Sequence, residues 1–249
     1  MSEAKAYRHW IRNEAWKARQ RLQTDQEQGL PSPAVEQPYP PGTPLIDLVP
    51  PEALTVGDRS VREVIQARRS RRKFTSDALT IEELSFLLWA TQGVREVHRG
   101  GRAVFRTVPS AGARHPFETY LAVNRVDGLE PGLYRYLSVE HKLYLAAPVP
   151  ELAQQTASAC FGQSFVRSAA VVFIWTAVPY RTEWRYSVVS PKLIALDAGH
   201  VCQALYIACE AIGAGTCAIA AYDQTLMDAL LGVDGDEEFT IYVAPVGKV

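Results

Sequence analysis

KLIALDAGHVCQALYIACEAIGAGTCAIAA, residues 192 to 221, is the stretch of the sequence that decides the fold. Its apolar positions alternate in steps of four and three along the chain: Ile194, Ala198, Val201, Leu205, Ala208 and Ile212. Such spacing places one continuous apolar stripe on a helix. We therefore predict a long helix over residues 192–212, ended by Gly213 and Gly215 because glycine readily terminates helices. The small residues at 216–221 predict a strand after it.

Short segments of β type and helical type alternate on both sides of this helix. Five segments are predicted to be strands: residues 117–126, 132–137, 142–146, 169–176 and 239–245. Helices are predicted at residues 60–67, 149–160 and 224–231, and from Thr80, whose capping box with Glu83 marks a helix start. Residues 95–108 are rich in Gly and Arg and are predicted to be a loop. Together these elements predict one mixed sheet flanked by helices.

The N-terminal part has a different composition. Eight of the sixteen prolines lie between Pro31 and Pro51, so this segment is neither a packed helix nor an inner strand. We predict an extended arm there, preceded by a basic amphipathic helix over residues 7–23. That helix could serve a membrane surface or a partner, or could be a solvated helix docked on its own protein. We accordingly divide the chain into an arm region, residues 1–56, and a main domain, residues 57–249.

Composition and charge narrow the class of protein. The 249 residues include 26 Lys and Arg against 27 Asp and Glu, and 47% are hydrophobic, which suits one domain with a full core plus an arm. A formal net charge of −1 argues against a protein wrapped in nucleic acid. No apolar run approaches the roughly 20 residues of a membrane span, and the four cysteines lack metal-ligand spacing. We expect a cytoplasmic globular protein without a metal site.

The run RRSRRK, residues 68–73, holds five cations and one hydroxyl. Guanidinium groups bind phosphate through two parallel hydrogen bonds, and Ser70 can donate to a phosphate or ribityl oxygen. The same run could instead be a solvated basic patch. Binding to nucleic acid is the weaker interpretation, because aromatic residues do not alternate with the cations and the chain has no excess of positive charge.

Two further segments are rich in small residues. PSAGARHP, residues 109–116, could let backbone N–H groups approach a flat polar ligand, or could be a tight connection. GAGTCAIAA, residues 213–221, suggests close packing or backbone beside a planar cofactor. His115 could donate a proton there, but a loop-stiffening or exposed histidine is the favoured interpretation. The cysteines of the apolar helix and strand are expected to behave as small hydrophobes.

The order of these motifs along the chain resembles a known family. RRSRRKF, PSAGARHP, DAGHVCQALYIACEAIGAGTCAI and the terminal PVGK follow one another as in the FMN-dependent nitroreductase superfamily. The hairpin segment GLEPGLYRYLSVEHKLYLA is similar to the SagB-type dehydrogenase branch. The resemblance covers residues 57–249. It implies an α+β fold with a mixed, mostly antiparallel sheet flanked by helices, in an intertwined homodimer with FMN at its interface. The small residues of the long helix suit close dimer packing.

The resemblance also implies a set of FMN-binding residues. The phosphate, ribityl chain and pyrimidine edge would be held by Arg68, Arg69, Ser70 and Arg72. The flavin ring would be lined by Pro109, Ser110, Ala111 and Gly112. Backbone near the hydride-accepting nitrogen would come from Ala218, Ile219 and Ala220. Lys248 would return to the phosphate.

The implied reaction is transfer of two electrons through the flavin, between a donor such as NAD(P)H and a small or peptidic substrate. No GxGxxG motif occurs in the sequence, so a nicotinamide would bind transiently over the flavin. The chain also resembles azoline dehydrogenases of peptide tailoring, which use a Lys-Tyr pair before the long helix. Here Tyr186 is kept but Arg185 replaces the lysine, and an arginine does not act as a base at neutral pH. Arg185 and Tyr186 could bind an anionic substrate, or be a surface arginine beside a packed tyrosine.

Two other functions are also consistent with the sequence. The first is dehydrogenation of an azoline-type ring in a peptide, with the N-terminal helix and arm as a docking element. The second is a non-catalytic flavin-binding protein whose basic N-terminal helix recruits a partner. A nucleic-acid role ranks below both.

Overall fold

The computed structural model describes residue 8, residues 11–98 and residues 103–249. Its strands are β1 (Ile46–Asp47), β2 (Val94–His98), β3 (Ala103–Arg106), β4 (Phe117–Val123), β5 (Gly132–Leu137), β6 (Lys142–Ala147), β7 (Val171–Ala177), β8 (Ala214–Thr216) and β9 (Phe239–Lys248). Seven of these described strands form one sheet in the order β1–β6–β5–β4–β7–β9–β8, with antiparallel neighbours. Ser70 and Thr216 form a parallel bridge at its edge. The mixed, mostly antiparallel sheet confirms the predicted α+β fold.

Helices lie on both faces of this sheet. They are α1 (Ala15–Arg19), α2 (Val61–Ala67), α3 (Ile81–Gln92), α4 (Leu152–Ala159), α5 (Ser164–Arg167), α6 (Tyr180–Tyr186), α7 (Ser190–Ala211) and α8 (Gln224–Leu231). The predicted capping box between Thr80 and Glu83 is confirmed at the start of α3, and Ser60 and Glu63 form another at the start of α2. Both cap the free N–H groups of a first turn. In the described residues, no helix is long and apolar enough to cross a membrane.

Two hydrophobic cores hold the layers together. The first packs α3 and α7 against one sheet face, and it buries Leu88, Leu121 and Trp175. The second packs α4 and α8 against the other face, around Ile174 and Met227. Strands β4 and β7 are therefore buried on both faces, as predicted for the apolar run of β7. Each such side chain contributes about 1.5–3 kcal/mol by leaving water.

The apolar stripe of α7 is confirmed, because its members face the first core. The strand predicted at residues 216–221 is wrong in its bounds. The strand β8 ends at Thr216, and beyond it only Ile219 bridges β9, at Val243. The hydroxyl oxygen of Tyr206 accepts a hydrogen bond from the backbone N–H of Ala218 at 2.8 Å. This part of the chain is therefore bonded to a side chain of α7 instead of to a neighbouring strand.

The loop predicted at residues 95–108 is also wrong. Its described residues form the antiparallel pair β2–β3, with Val97 opposite Val104 and a bulge between Val94 and Glu96. The rings of His98 and Phe105 meet edge to face at 4.4 Å between centroids. The β-branched and aromatic residues thus outweigh the Gly and Arg composition in setting the local structure. Residues 99–102 lie outside the described residues.

The helix predicted over residues 7–23 is much shorter in the structure. Residues 15–19 are helical, the flanking described residues form turns, and residues 1–7, 9 and 10 lie outside the described part of the chain. Lys192, at the start of α7, donates to the carbonyl oxygen of Ile11 at 2.7 Å and also to Asn13. Tertiary contacts rather than helix propensity therefore position this segment, as is common for helices too short to be stable alone.

The proline-rich arm is extended as predicted, and it packs on its own chain. Its carbonyl oxygens accept hydrogen bonds from Arg106, Arg135 and Arg181, all of them buried. The acceptors are Ala34, Val35, Gln37 and Pro38. An extended, proline-rich backbone leaves its carbonyl groups free, so it can satisfy buried guanidinium groups.

Candidate active site

The first cluster of predicted site residues is a basic groove, lined by residues 69–75 and Val249, with a volume of about 530 Å³. The chain enters it where α2 ends at Ala67 and then runs beside β8. The backbone N–H of Arg71 donates to the carbonyl oxygen of Thr216 at 2.9 Å. This pairing fixes the direction of the segment. It leaves the side chains of Arg69, Arg72 and Lys73 exposed.

The charges of the basic groove are largely uncompensated. Arg71 approaches Glu210 at 3.5 Å, but Arg68, Arg69 and Arg72 have no ion pair with any described residue. Arg68 lies over the ring of Tyr206 at 5.4 Å. Cations that lack a carboxylate partner are suited to a phosphate group, whose oxygens would replace the water around them.

Tyr206 connects two of the predicted segments, although it was not predicted to be a site residue. Its hydroxyl lies 3.0 Å from the Ser70 hydroxyl and accepts the Ala218 N–H at 2.8 Å. The basic run and the segment of Ala218 are therefore neighbours through one helix side chain. The signal was a polar-tipped aromatic residue in an otherwise small and apolar helix motif.

The other predicted residues of this cluster differ in exposure. Ile219 is buried and exchanges backbone hydrogen bonds with Val243, whereas Ala220 is exposed. Lys248 forms an ion pair with Glu83 and lies 3.4 Å from the carbonyl oxygen of Ile212. Its ammonium group is thus directed at a carboxylate within the same chain. Any contact of Lys248 with a phosphate stays a prediction.

The second cluster surrounds the loop of Pro109, Ser110, Ala111 and Gly112. Asp197 of α7 accepts a hydrogen bond from the Ser110 hydroxyl at 2.6 Å and from the Ala111 N–H at 3.1 Å. The Ser110 hydroxyl oxygen also accepts from the His115 N–H at 2.9 Å. Burial raises the pKa of Asp197, and these hydrogen bonds offset part of that rise. Asp197 was missed too, although an acidic residue on the apolar side of a helix is a signal of a buried partner.

The same loop brings Arg185 and Tyr186 to this cluster. Gly112 has a φ of 58°, and a Cβ atom there would lie 2.6 Å from the Tyr186 hydroxyl oxygen and 2.9 Å from the Arg185 Nε. A side chain at position 112 would therefore strain the backbone and displace the ends of the Tyr186 and Arg185 side chains. The guanidinium of Arg185 lies 5.7 Å from the centroid of the Tyr186 ring.

A cavity of about 1150 Å³ opens beside this loop, and we call it the arginine cavity. It lies between the arm, the β2–β3 hairpin, the loop and α6. Its cationic side chains are Arg95, Arg106, Arg114 and Arg185. His115 also lines it and is buried, which excludes the exposed alternative for this histidine and leaves the loop-stiffening one. Burial, then Arg106 and Arg114, lower the pKa of His115 to about 3, so the ring is neutral at pH 7 and has no acidic proton to donate.

The two clusters are separate within one chain. Their anchors on α7, Asp197 and Tyr206, are nine residues apart in the sequence, or roughly 13 Å along the helix axis. The fold therefore gathers each set of predicted residues but does not merge the two sets. Among the described residues no group of three or more potential ligands could hold a metal ion.

Comparison with known proteins identifies the family. A model of the "Nitroreductase family" matches residues 65–248. The chain is 33% identical over 188 residues to "Putative nitroreductase MJ1384" of Methanocaldococcus jannaschii, covering 76% of this chain and 90% of that protein. It is 28% identical over 138 residues to the trifolitoxin-processing protein TfxB of Rhizobium leguminosarum bv. trifolii, covering 54% of this chain and 37% of TfxB.

The solved structures agree with the sequence comparisons. The crystal structure of a "putative nitroreductase" from Ralstonia eutropha JMP134 matches with a TM-score of 0.68 and 25% identity, covering 88% of this chain and 94% of that one. The residues that the family model matches, 65–248, include the cationic run of the groove and the loop of residues 109–112. The chain therefore belongs to the nitroreductase family.

Proposed function

We propose that the protein is an FMN-dependent oxidoreductase of the SagB-type branch, a homodimer that moves two electrons between a donor such as NAD(P)H and a small or peptidic substrate. Proteins of the nitroreductase family are oxidoreductases that generally depend on FMN. The observation that carries the proposal is the basic groove, where cations without carboxylate partners lie beside Ser70 and Ala218. A cytoplasmic location belongs to the same proposal.

The basic groove fits the phosphate end of FMN. Arg69 and Arg72 are exposed, and neither has an ion pair with a described residue. Arg68 is held over Tyr206, and the Ser70 hydroxyl is within reach of the same tyrosine. These four residues would bind the phosphate and ribityl oxygens. FMN, when bound, supplies the two-electron chemistry that the side chains lack.

The chain's own residues orient the substrate and hold the ring segment in place. Asp197 holds the loop of Ser110 and Ala111 through hydrogen bonds, so the loop backbone keeps one shape. Arg185, against Gly112, would bind a negatively charged group of the substrate. An arginine keeps its proton at neutral pH, and His115 is neutral there, so we assign proton exchange to solvent.

The homodimer explains the separation of the two clusters. In a dimer with FMN at the interface, the loop cluster of one protomer would complete the basic groove of its partner. The outward face of α7 suits such an interface, because Ala195 and Gly199 are small and exposed and Leu196 is 53% exposed. Small residues permit close helix packing, and an exposed apolar side chain is stabilised by covering it.

The first test is the visible absorbance spectrum of the purified protein, repeated without oxygen after addition of NADH or NADPH. We expect a flavin spectrum that bleaches with one of the two nucleotides. Arg72→Gln should weaken FMN binding about tenfold or more, because it removes a charge-assisted contact. Arg167→Gln removes the same charge from an exposed site on α5 and should leave FMN binding unchanged. A protein that cannot be loaded with FMN would overturn the proposal.

Dehydrogenation of an azoline-type ring in a peptide is the second candidate. It is favoured by the similarity to a trifolitoxin-processing protein, and by Tyr186 lying against the loop cluster. Arg185 is the obstacle, since a lysine would be needed as a base. If this candidate is right, Arg185→Lys should raise the rate of azoline oxidation while Arg185→Gln does not. Equal rates for both variants would exclude it.

A non-catalytic flavin-binding protein is the remaining alternative. It predicts a flavin spectrum that neither nucleotide bleaches and that no candidate substrate reduces.

A further inference from the structure

We propose that the arginine cavity binds the oxyanion of a substrate, a carboxylate or a phosphate group carried on a planar apolar body. The inference rests on the proposed function in one respect only: the loop of Pro109, Ser110 and Gly112, assigned to the flavin ring, forms one wall of this cavity. An anion held there would place its substrate beside the ring.

The charge of the cavity favours an anionic ligand. Glu118 pairs with Arg135 at 3.0 Å and also with Arg181, so those two guanidinium groups share one buried carboxylate. Arg106 and Arg114 have no ion pair with any described residue, and both line the cavity. They are only 4% and 7% exposed. Glu118 and Glu36 partly compensate the charge of Arg106, but no carboxylate acts on Arg114. The buried charge of Arg114 is therefore one that an anionic ligand in the cavity would stabilise.

Arg114 has hydrogen-bonding capacity that the described residues do not use. Arg114 donates from Nε to the Arg181 carbonyl oxygen at 2.8 Å and from Nη2 to the Ser32 hydroxyl at 3.2 Å, and its Nη1 has no hydrogen-bond partner among the described residues. A guanidinium with an unused N–H group can donate it to an oxyanion. Burial lowers the pKa of Arg106 and of Arg114, the direction expected where the nearby negative charge is insufficient.

The lining and the size of the cavity also favour an anionic ligand with an apolar body. None of its described lining residues is an Asp or a Glu. Apolar walls come from Leu30, Phe105 and Trp184, and the guanidinium of Arg114 lies 4.9 Å from the Trp184 ring centroid. A volume of about 1150 Å³ is far larger than an oxyanion alone. The ligand therefore combines the oxyanion with an apolar, flat body.

The arm closes this cavity from one side, which makes it part of the binding site. The Trp184 Nε1 donates to the Leu30 carbonyl oxygen at 3.0 Å, and the Gln26 N–H donates to the Trp184 carbonyl oxygen at 2.9 Å. Tyr180 donates to Asp25 at 2.8 Å. These contacts fix residues 25–30 against α6, so the wall is built before any ligand enters.

The test is calorimetric titration of the FMN-loaded protein with benzoate, phenyl phosphate and benzamide. Benzamide is the neutral counterpart of benzoate in size and shape. We expect benzoate or phenyl phosphate to bind at least about tenfold more tightly than benzamide, and the tighter of the two identifies the oxyanion. Arg114→Gln should remove that preference. Arg167→Gln, which deletes an exposed arginine of α5, should keep it.

A second variant guards against misfolding of the first. Arg95 is exposed at the cavity, and among the described residues its side chain makes one hydrogen bond, to the Arg106 carbonyl oxygen. Arg95→Gln should therefore fold normally and weaken benzoate binding several-fold, with benzamide binding unchanged.

Three outcomes would overturn the inference. They are equal binding of all three probes by the wild-type protein, an oxyanion preference that survives both Arg114→Gln and Arg95→Gln, and oxyanion binding seen only in FMN-free protein, which would assign the cavity to the cofactor. The titration needs no turnover. Oxyanion binding without flavin reduction by a nucleotide would therefore refute the proposed reaction alone, and flavin reduction without an oxyanion preference would refute this inference alone.

Discussion

The basic groove and the arginine cavity are both rich in arginine, but they hold it in opposite ways. In the groove, Arg69 and Arg72 come from one continuous run of sequence, are exposed, and have few contacts. In the cavity, Arg106 and Arg114 come from a strand and a loop, are buried, and are held by carbonyl oxygens and a serine hydroxyl. The cations of the groove are therefore exposed to solvent, whereas those of the cavity are buried.

This difference in burial predicts that substitutions in the two regions will have different effects on ligand binding and on the stability of the fold. An exposed arginine costs little to maintain, so its removal should affect ligand binding and leave the fold intact. A buried arginine needs partners in the folded chain, and the arm, Glu118 and Gln92 provide them here. Substitutions around the cavity should therefore alter stability as well as binding. The following predictions test this contrast.

The largest effect is expected from removing the buried carboxylate of Glu118, which Arg135 and Arg181 share. Glu118→Gln leaves Arg135 and Arg181 without their counter-ion, and Glu118 is only 3% exposed. We expect the free energy of unfolding to fall by about 3–5 kcal/mol, measured by urea denaturation. Glu140→Gln, an exposed carboxylate hydrogen-bonded to Tyr39, should change it by less than about 1 kcal/mol. Equal effects of the two substitutions would remove the contrast between buried and exposed charge.

The pH dependence of stability gives an intermediate effect. The pKa of His115 is lowered to about 3 in the folded protein from 6.5, by burial first and then by Arg106 and Arg114. The unfolded chain therefore takes up this proton below pH 6.5 while the folded chain does not, and stability falls as the pH drops from 6.5 towards 3. Between pH 7 and pH 5, wild type should lose about 2 kcal/mol more than His115→Gln. Parallel losses in wild type and variant would mean that His115 is not a buried neutral histidine.

The smallest effect is expected in the groove. Tyr206→Phe removes the hydroxyl that lies between Ser70 and the Ala218 N–H. We expect a loss of about 1 kcal/mol in the free energy of FMN binding, a several-fold rise in Kd, from fluorescence titration. Tyr39→Phe, which removes a hydroxyl that donates to the exposed Glu140, is the matched control and should leave the Kd unchanged. An unchanged Kd for Tyr206→Phe would mean that the contacts of this hydroxyl with Ser70 and Ala218 do not contribute to FMN binding.

Local patterns predicted much of the fold. Helix α8 has the predicted bounds, and α7 buries the predicted stripe, because helical periodicity and stop signals act over a few residues. The β5–β6 hairpin follows from its alternation and its short turn. The β2–β3 pair was missed, since Gly and Arg masked the residues that favour a strand. The helix over residues 7–23 was overestimated, because contacts with α7 rather than periodicity position that segment.

The candidate site was predictable in part, and for a similar reason. Motifs such as RRSRRKF and PSAGARHP can be recognised in the sequence, because their residues are contiguous. Tyr206 and Asp197 acquire their roles only when α7 packs against the segments of Ser70 and Ser110. His115 was expected either to stiffen its loop or to be exposed; it is buried, and the β2–β3 hairpin and the arm line the same cavity.

By itself, the sequence determined the helical and strand periodicities, the extended arm and the continuous run of cations, since each depends on residues close together in the chain. Only the tertiary structure decided where the arm lies, which arginines are neutralised, and that a cationic cavity exists. Its lining residues come from positions as distant as Gln26 and Arg185. Burial and charge compensation depend on everything that surrounds a group in three dimensions, and no local pattern encodes that environment.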